Sequence, residues 1–105
     1  MSVIMTLRIK GDPRKLEQRA AAEPNSIRSI AERAKDYGVI AHRFYGSDDG
    51  EILVVDEWPD PESFQRFFKD MEPEIGPMMQ EVATSEPEIR FWRKLETNDD
   101  IGWNA

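Results

Sequence analysis

Hydrophobic and polar positions alternate, cluster and break along this chain in a way that marks out its elements. Val3-Ile-Met-Thr-Leu-Arg-Ile-Lys10 is rich in β-branched and apolar residues and is stopped by Gly-Asp-Pro, so it reads as strand one. Asp12-Pro13 then opens a helix: Asp caps it, and proline sits at the first helical position, where its missing N–H costs nothing. Residues 13–22 have helical propensity. Pro24 disfavours helix at Glu23, which predicts a kink or break at 23–25, with Asn25 or Ser26 recapping. Ile27, Ile30, Ala31 and Ala34 follow at i, i+3, i+4, i+7, the spacing of one buried helical face. Gly38 ends that helix as a C′ residue.

Val39 to Gly46 reads as strand two. Ser47-Asp-Asp-Gly50 is a turn, because Asp-Gly tolerates the positive φ of tight hairpins. Glu51 to Trp58 is strand three. Asp60-Pro61 repeats the cap-plus-proline start, and Phe64, Phe67, Phe68 and Met71 mark one apolar face of a second helix. Pro73, Gly76 and Pro77 break that pattern, while Met78, Met79 and Val82 suggest a further turn or two. Glu88 to Leu95 is strand four. Residues 96–105 are an acidic tail, to be pinned if at all by Ile101 or Trp103.

The order βαββαβ is the ferredoxin-like split motif, an α+β domain over residues 1–95 with a four-stranded antiparallel sheet and two helices on one face. Strands one, three and four carry apolar residues at both parities: Ile4 and Met5, Leu53 and Val54, Phe91 and Trp92. A sheet solvated on one side would alternate cleanly. The second face is therefore expected to be buried as well, most simply by a homodimer that pairs sheet to sheet.

Composition narrows the function classes. The 105-residue chain carries a formal net charge of −7 and no Lys/Arg-rich patch interleaved with aromatics, which argues against nucleic acid and anionic membrane. It has no cysteine, which removes disulfides, thiolate nucleophiles and thiolate metal sites together. One His, with carboxylates mainly in turns and tail, gives no metal-ligand spacing, and the glycines are too scattered for a phosphate loop. The start lacks the basic, long-apolar pattern of a secretory signal, and no run reaches the roughly 18 apolar residues of a membrane span. A cytoplasmic protein is the simplest expectation.

Arg43-Phe-Tyr-Gly-Ser-Asp-Asp-Gly-Glu-Ile-Leu-Val-Val-Asp-Glu-Trp58, followed by the helix entry Trp58-Pro-Asp-Pro-Glu-Ser-Phe-Gln-Arg-Phe-Phe68, resembles the dimeric α+β barrel proteins. The nearest branch is the antibiotic-biosynthesis monooxygenase-like group, and the likeness covers roughly residues 3–95. It implies a dimer whose two sheets form a barrel, with a pocket in each subunit between sheet and helices. It also implies cofactor-free oxygenation of an aromatic or quinol-type small molecule. The haem-degrading branch relies on an Asn in strand one, a Trp in the second helix and a His just after it. Here strand one has no Asn, Phe67 stands at the Trp position, and residues 72–80 hold no His, so that activity is not implied.

His42, the single histidine, is the candidate catalytic base. A cofactor-free oxygenase needs a base, because a phenol stripped of its proton becomes electron-rich enough to meet oxygen directly. Tyr45, Trp58, Phe64, Phe67, Phe68 and Trp92 are the candidate substrate-binding residues, stacking on or hydrogen-bonding to a flat ligand. What His42 faces depends on the hairpin between strands two and three. An even loop sets His42 and Phe44 with Leu53, Val55 and Glu57, with Glu57 orienting the imidazole and Arg43 pairing with Asp56. An odd loop swaps the two sets. Two alternatives stand beside the oxygenase: a non-catalytic small-molecule-binding or accessory dimer of the same fold, and a purely structural dimer with a filled core.

Overall fold

The computed structural model describes residues 1–103, and Asn104 and Ala105 at the end of the tail lie outside the described residues. Its elements are β1 (Val3–Lys10), α1 (Pro13–Ala22), α2 (Pro24–Asp36), β2 (Ala41–Gly46), β3 (Glu51–Trp58), α3 (Pro61–Asp70), α4 (Glu72–Val82) and β4 (Glu88–Trp92). The strands form one antiparallel sheet in the order β2-β3-β1-β4. This is the α+β ferredoxin-like arrangement, with each of the two expected helices divided in two.

Local chemistry explains each division. Asp12 accepts from the Arg14 N–H at 2.9 Å and Pro13 opens α1. Pro24 does not wait for a cap from Asn25 or Ser26. It is itself the first residue of α2, and Glu23 serves as the N-cap without a side-chain hydrogen bond. The fixed φ of proline suits that position, so a single residue both ends one helix and begins the next. The end of α2 is a Schellman motif: Gly38 N–H donates to the Lys35 carbonyl at 3.0 Å and Val39 N–H to the Ala34 carbonyl at 3.1 Å.

Asp60 accepts from both the backbone N–H and the hydroxyl of Ser63 at 2.8 Å, which anchors α3 directly after β3. Beyond Met71, Pro73 lies in the first turn of α4, where proline is tolerated. The helix then runs through Gly76 and Pro77 to Val82, longer than the one or two turns expected from sequence. Burial explains its persistence: Ile75, Met78 and Val82 all reach the core. Strands β2 and β4 are shorter than expected, beginning at Ala41 and ending at Trp92. The tail is not pinned, for Ile101 and Trp103 are both exposed.

The core fills the space between the sheet and the helices. Met5, Leu7 and Ile9 from β1 and Ile52 and Trp58 from β3 meet Leu16, Ala34, Phe64, Phe67 and Met71 from the helices. On the other face of the sheet, Ile4, Tyr45 and Trp92 stand exposed around the partly buried Leu53 and Val55. Arg8, Arg43, Glu57 and Arg90 flank them at the same parity. No helix among the described residues is long and apolar enough to cross a membrane.

Candidate functional site

The β2–β3 hairpin decides what the histidine faces. His42 opposes Asp56 and Gly46 opposes Ile52, which leaves the three residues Asp48, Asp49 and Gly50 between the Ser47 and Glu51 pair. Gly50 takes φ +88°, the left-handed residue that closes a three-residue hairpin loop. The loop is odd. His42 and Phe44 therefore turn toward the helices together with Ile52, Val54, Asp56 and Trp58. Arg43 and Tyr45 go to the other face, opposite Val55 and Leu53. The even-loop geometry, with Glu57 behind His42 and an Arg43–Asp56 ion pair, does not occur. Arg43 instead donates to the Tyr45 hydroxyl at 3.2 Å.

Asp56 is the residue that this register brings into play. It is 5% exposed, inside an otherwise apolar layer. One carboxylate oxygen lies 2.7 Å from His42 Nδ1, and the other accepts from the indole Nε1–H of Trp58 at 3.1 Å. Trp58 is fully buried, its ring packed against Phe64 and Phe67 at centroid distances of 5.7 and 5.6 Å. The carboxylate is thus held by one donor from the core and itself holds the imidazole. Phe44 packs edge-on against that imidazole at 5.0 Å. An acceptor on Nδ1 places the neutral ring's proton there and leaves Nε2 with its lone pair, the form a general base needs. No hydrogen bond among the described residues uses Nε2.

A buried carboxylate is an expensive choice for stability alone, since an apolar side chain of the same volume often serves a core as well or better. Beside it lies a cavity of about 90 Å³ between the sheet and the helices. His42 and Asp56 are the polar residues of its lining, and the rest is apolar, including Phe44, Phe64, Phe67, Phe68, Met78 and Met79. The His42 side chain is 27% exposed, so the imidazole stands between the cavity and solvent. Two larger clefts, of about 770 and 810 Å³, open on the surface at the hairpin tip and between α2 and α4, and neither contains His42.

The structure brings together four of the residues singled out from sequence: His42, Phe64, Phe67 and Phe68 line one cavity. Trp58 stands behind them, holding Asp56 rather than lining the cavity. Tyr45 and Trp92 point to the opposite face of the sheet, where Trp92 Nε1 donates to the Thr6 hydroxyl at 2.8 Å. Neither shares a pocket with His42, because each lies at the other strand parity. Asp56 is the residue of the candidate site that sequence reasoning missed. The available signal was the Asp-x-Trp spacing in β3, which puts a carboxylate and an indole on one face, next to a strand with the chain's single histidine. Among the described residues no cluster of three or more His, Asp or Glu is placed to hold a metal ion.

No protein-family model and no curated protein sequence matches the chain. Solved structures do. A conserved protein from Methanosarcina mazei Go1 superposes with a TM-score of 0.68 at 22% identity, covering 90% of this chain and 94% of that one. An antibiotic biosynthesis monooxygenase gives 0.64 at 12% identity, covering 90% and 99%. SnoaB, a cofactor-independent oxygenase from Streptomyces nogalater, gives 0.57 at 15% identity, covering 94% and 98%. These likenesses, all at or below 22% identity, show a shared ferredoxin-like α+β fold.

Proposed function

We propose that this protein is a cofactor-independent monooxygenase-like enzyme acting on an aromatic or quinol-type small molecule, with His42 as its base. The observation that carries this reading is the Asp56–His42 pair at 2.7 Å on the wall of an apolar cavity. The likeness in fold to named oxygenases adds to it by analogy.

The chemistry uses this chain's own groups and dioxygen. His42 Nε2 takes the phenolic proton, while Asp56 holds Nδ1–H and faces the imidazolium that forms. The electron-rich phenolate carbon gives electrons to dioxygen and forms a C–O bond. The imidazolium returns its proton to the peroxide, and the resulting hydroperoxide loses water, so that the phenolic C–O becomes one C=O of a quinone and the attacked C–H carbon becomes the second. One oxygen atom ends in the quinone and the other in water; the substrate is the reductant and dioxygen the oxidant. The apolar lining excludes bulk water and favours a flat ring.

The working unit in this reading is a homodimer formed through the exposed sheet face. Ile4, Tyr45 and Trp92 there are 36%, 49% and 48% exposed, a concentration of apolar surface that a partner sheet would cover. The chain is read as acting in the cytoplasm without a metal or organic cofactor.

Oxygen uptake with a panel of phenols, hydroquinones and anthrones, comparing the wild type with His42→Ala, tests the proposal. Uptake above the spontaneous rate that falls at least tenfold in the variant supports it. Uptake unchanged by the substitution removes His42 as the base. Ligand binding without uptake for any compound turns the reading to a non-catalytic binding protein; the absence of any binding turns it to the structural dimer with a filled core, the reading that a cavity of only about 90 Å³ favours.

A further inference from the structure

The dimensions and lining of the His42 cavity go beyond the broad class of aromatic substrates. We infer that the site selects a neutral single-ring phenol or hydroquinone and discriminates against fused-ring compounds; this rests on the reading of His42 as the base of a phenol-oxidising site. The volume is about 90 Å³. An apolar core cavity of about 150 Å³ takes up one benzene ring. One ring therefore enters with a modest outward movement of flexible side chains. Three fused rings need on the order of 300–400 Å³ by the same measure.

The walls determine how far the space can grow. On the sheet side, Met5 and Ile52 are 1% exposed and fixed in a four-stranded sheet. On the α3 side, Phe64 stacks on Phe68 at 5.3 Å and meets Phe91 edge-on at 5.8 Å, so neither α3 ring is free to swing away. The adaptable part is the methionine pair of α4, Met78 and Met79, unbranched side chains that change rotamer at low cost. Moving one of them makes room for one ring, not for three.

Charge narrows the class further. The polar groups in the lining are Asp56 and the imidazole it holds. A ligand carboxylate would enter an apolar space beside a carboxylate, with no arginine or lysine in the lining to meet it. A neutral hydroxyl reaching Nε2 meets the one free acceptor of the pair.

Titration calorimetry on the full chain with phenol, hydroquinone, 4-hydroxybenzoate, 1-naphthol and anthrone, run beside oxygen uptake for each, tests the inference. Transfer from water alone favours the larger apolar ligand, so hydrophobicity and cavity size predict opposite orders. The expected result is binding of phenol and hydroquinone at least tenfold tighter than of anthrone and 4-hydroxybenzoate. Met79→Ala, at a half-buried lining position, is expected to narrow the gap between phenol and 1-naphthol at least threefold. Phe68→Ala provides the same test from α3 if the first variant folds poorly. Anthrone bound and oxidised as well as phenol overturns the size inference while leaving the oxygenase reading intact. Tight binding of 4-hydroxybenzoate overturns the charge inference in the same way. Absence of both binding and uptake for every compound overturns the oxygenase reading and this inference with it.

Discussion

Replacing Asp56 by Asn separates orientation of the histidine from support of the core. The carboxylate accepts on both oxygens, from His42 Nδ1–H at 2.7 Å and from Trp58 Nε1–H at 3.1 Å. An amide has one accepting oxygen and one donating nitrogen, so it satisfies both neighbours only by turning its NH2 toward the histidine. The imidazole must then accept at Nδ1 and carry its proton at Nε2, the tautomer that is no base toward a ligand in the cavity. The opposite amide orientation keeps the active tautomer but sets NH2 against the buried indole N–H, leaving donors unpaired at about 1–3 kcal/mol each. The first orientation wins on this count. It also relieves the cost of burying a charge, so the fold loses little.

The expected outcome is a loss of about a hundredfold in oxygen uptake, within the range that a positioned general base contributes. The melting temperature should move by less than about 5 °C, since a domain of this size shifts about 4–8 °C per kcal/mol. His42 is the chain's single histidine, so its nitrogen NMR signals are unambiguous: Nδ1–H in the wild type and Nε2–H in Asp56→Asn. A variant that oxidises substrate at the wild-type rate, or that keeps Nδ1–H and shows no loss of stability, would refute the reasoning. A large fall in melting temperature with activity intact would recast Asp56 as a core residue alone.

Other substitutions probe the rest of the structure. Val55→Arg, at the centre of the exposed sheet face, is expected to convert a dimer to a monomer by light scattering without lowering helix content. Gly11→Ala puts a Cβ 2.1 Å from the Val82 carbonyl oxygen, where the end of β1 passes the end of α4; since both are backbone, the cost should be about 1–3 kcal/mol or more in denaturant unfolding. Asp60→Ala removes the α3 cap. The Ser63 hydroxyl, and after it the Ser63 N–H, hold the Asp60 carboxyl below its ordinary 3.8. A depressed folded-state pKa contributes stability above the unfolded value that is lost as pH falls through the folded one. The wild type should therefore exceed Asp60→Ala in stability at pH 6–7, with the gap closing below about pH 4.

Elements whose chemistry is local are legible in the sequence, and those that depend on distant burial are not. Asp-Pro at residues 12–13 and 60–61 announces helix starts through groups within three residues of each other, and both caps form. Strands β1 and β3 lie at the boundaries their composition implies, because a β-branched run bounded by turn residues has few other options. Pro77 does not end its helix for the complementary reason: its local cost is real, but burial of Met78 and Val82 in the core outweighs it, and nothing near residue 77 reports that burial.

The site depends on a still less local quantity, the parity of one loop. Ser47-Asp-Asp-Gly50 reads as a turn with either count, and one residue of slip exchanges Asp56 for Glu57 behind the histidine. Both are carboxylates, so residue type alone does not discriminate them. Their surroundings do: Glu57 lies on the exposed sheet face, opposite Ile4, whereas Asp56 is buried with an indole donor already committed to it. Glu57 is half-buried on that outer face and accepts from the Ser2 hydroxyl, with no donor from the core to fix it beside an imidazole. The odd loop therefore does more than choose a partner. By turning His42 inward it places the imidazole on the apolar cavity and gives it a carboxylate that the Trp58 indole also holds. Inserting one residue after Asp49 should undo both effects at once, abolishing the 2.7 Å contact and any chemistry that depends on it while leaving β1, β4 and the helices in place.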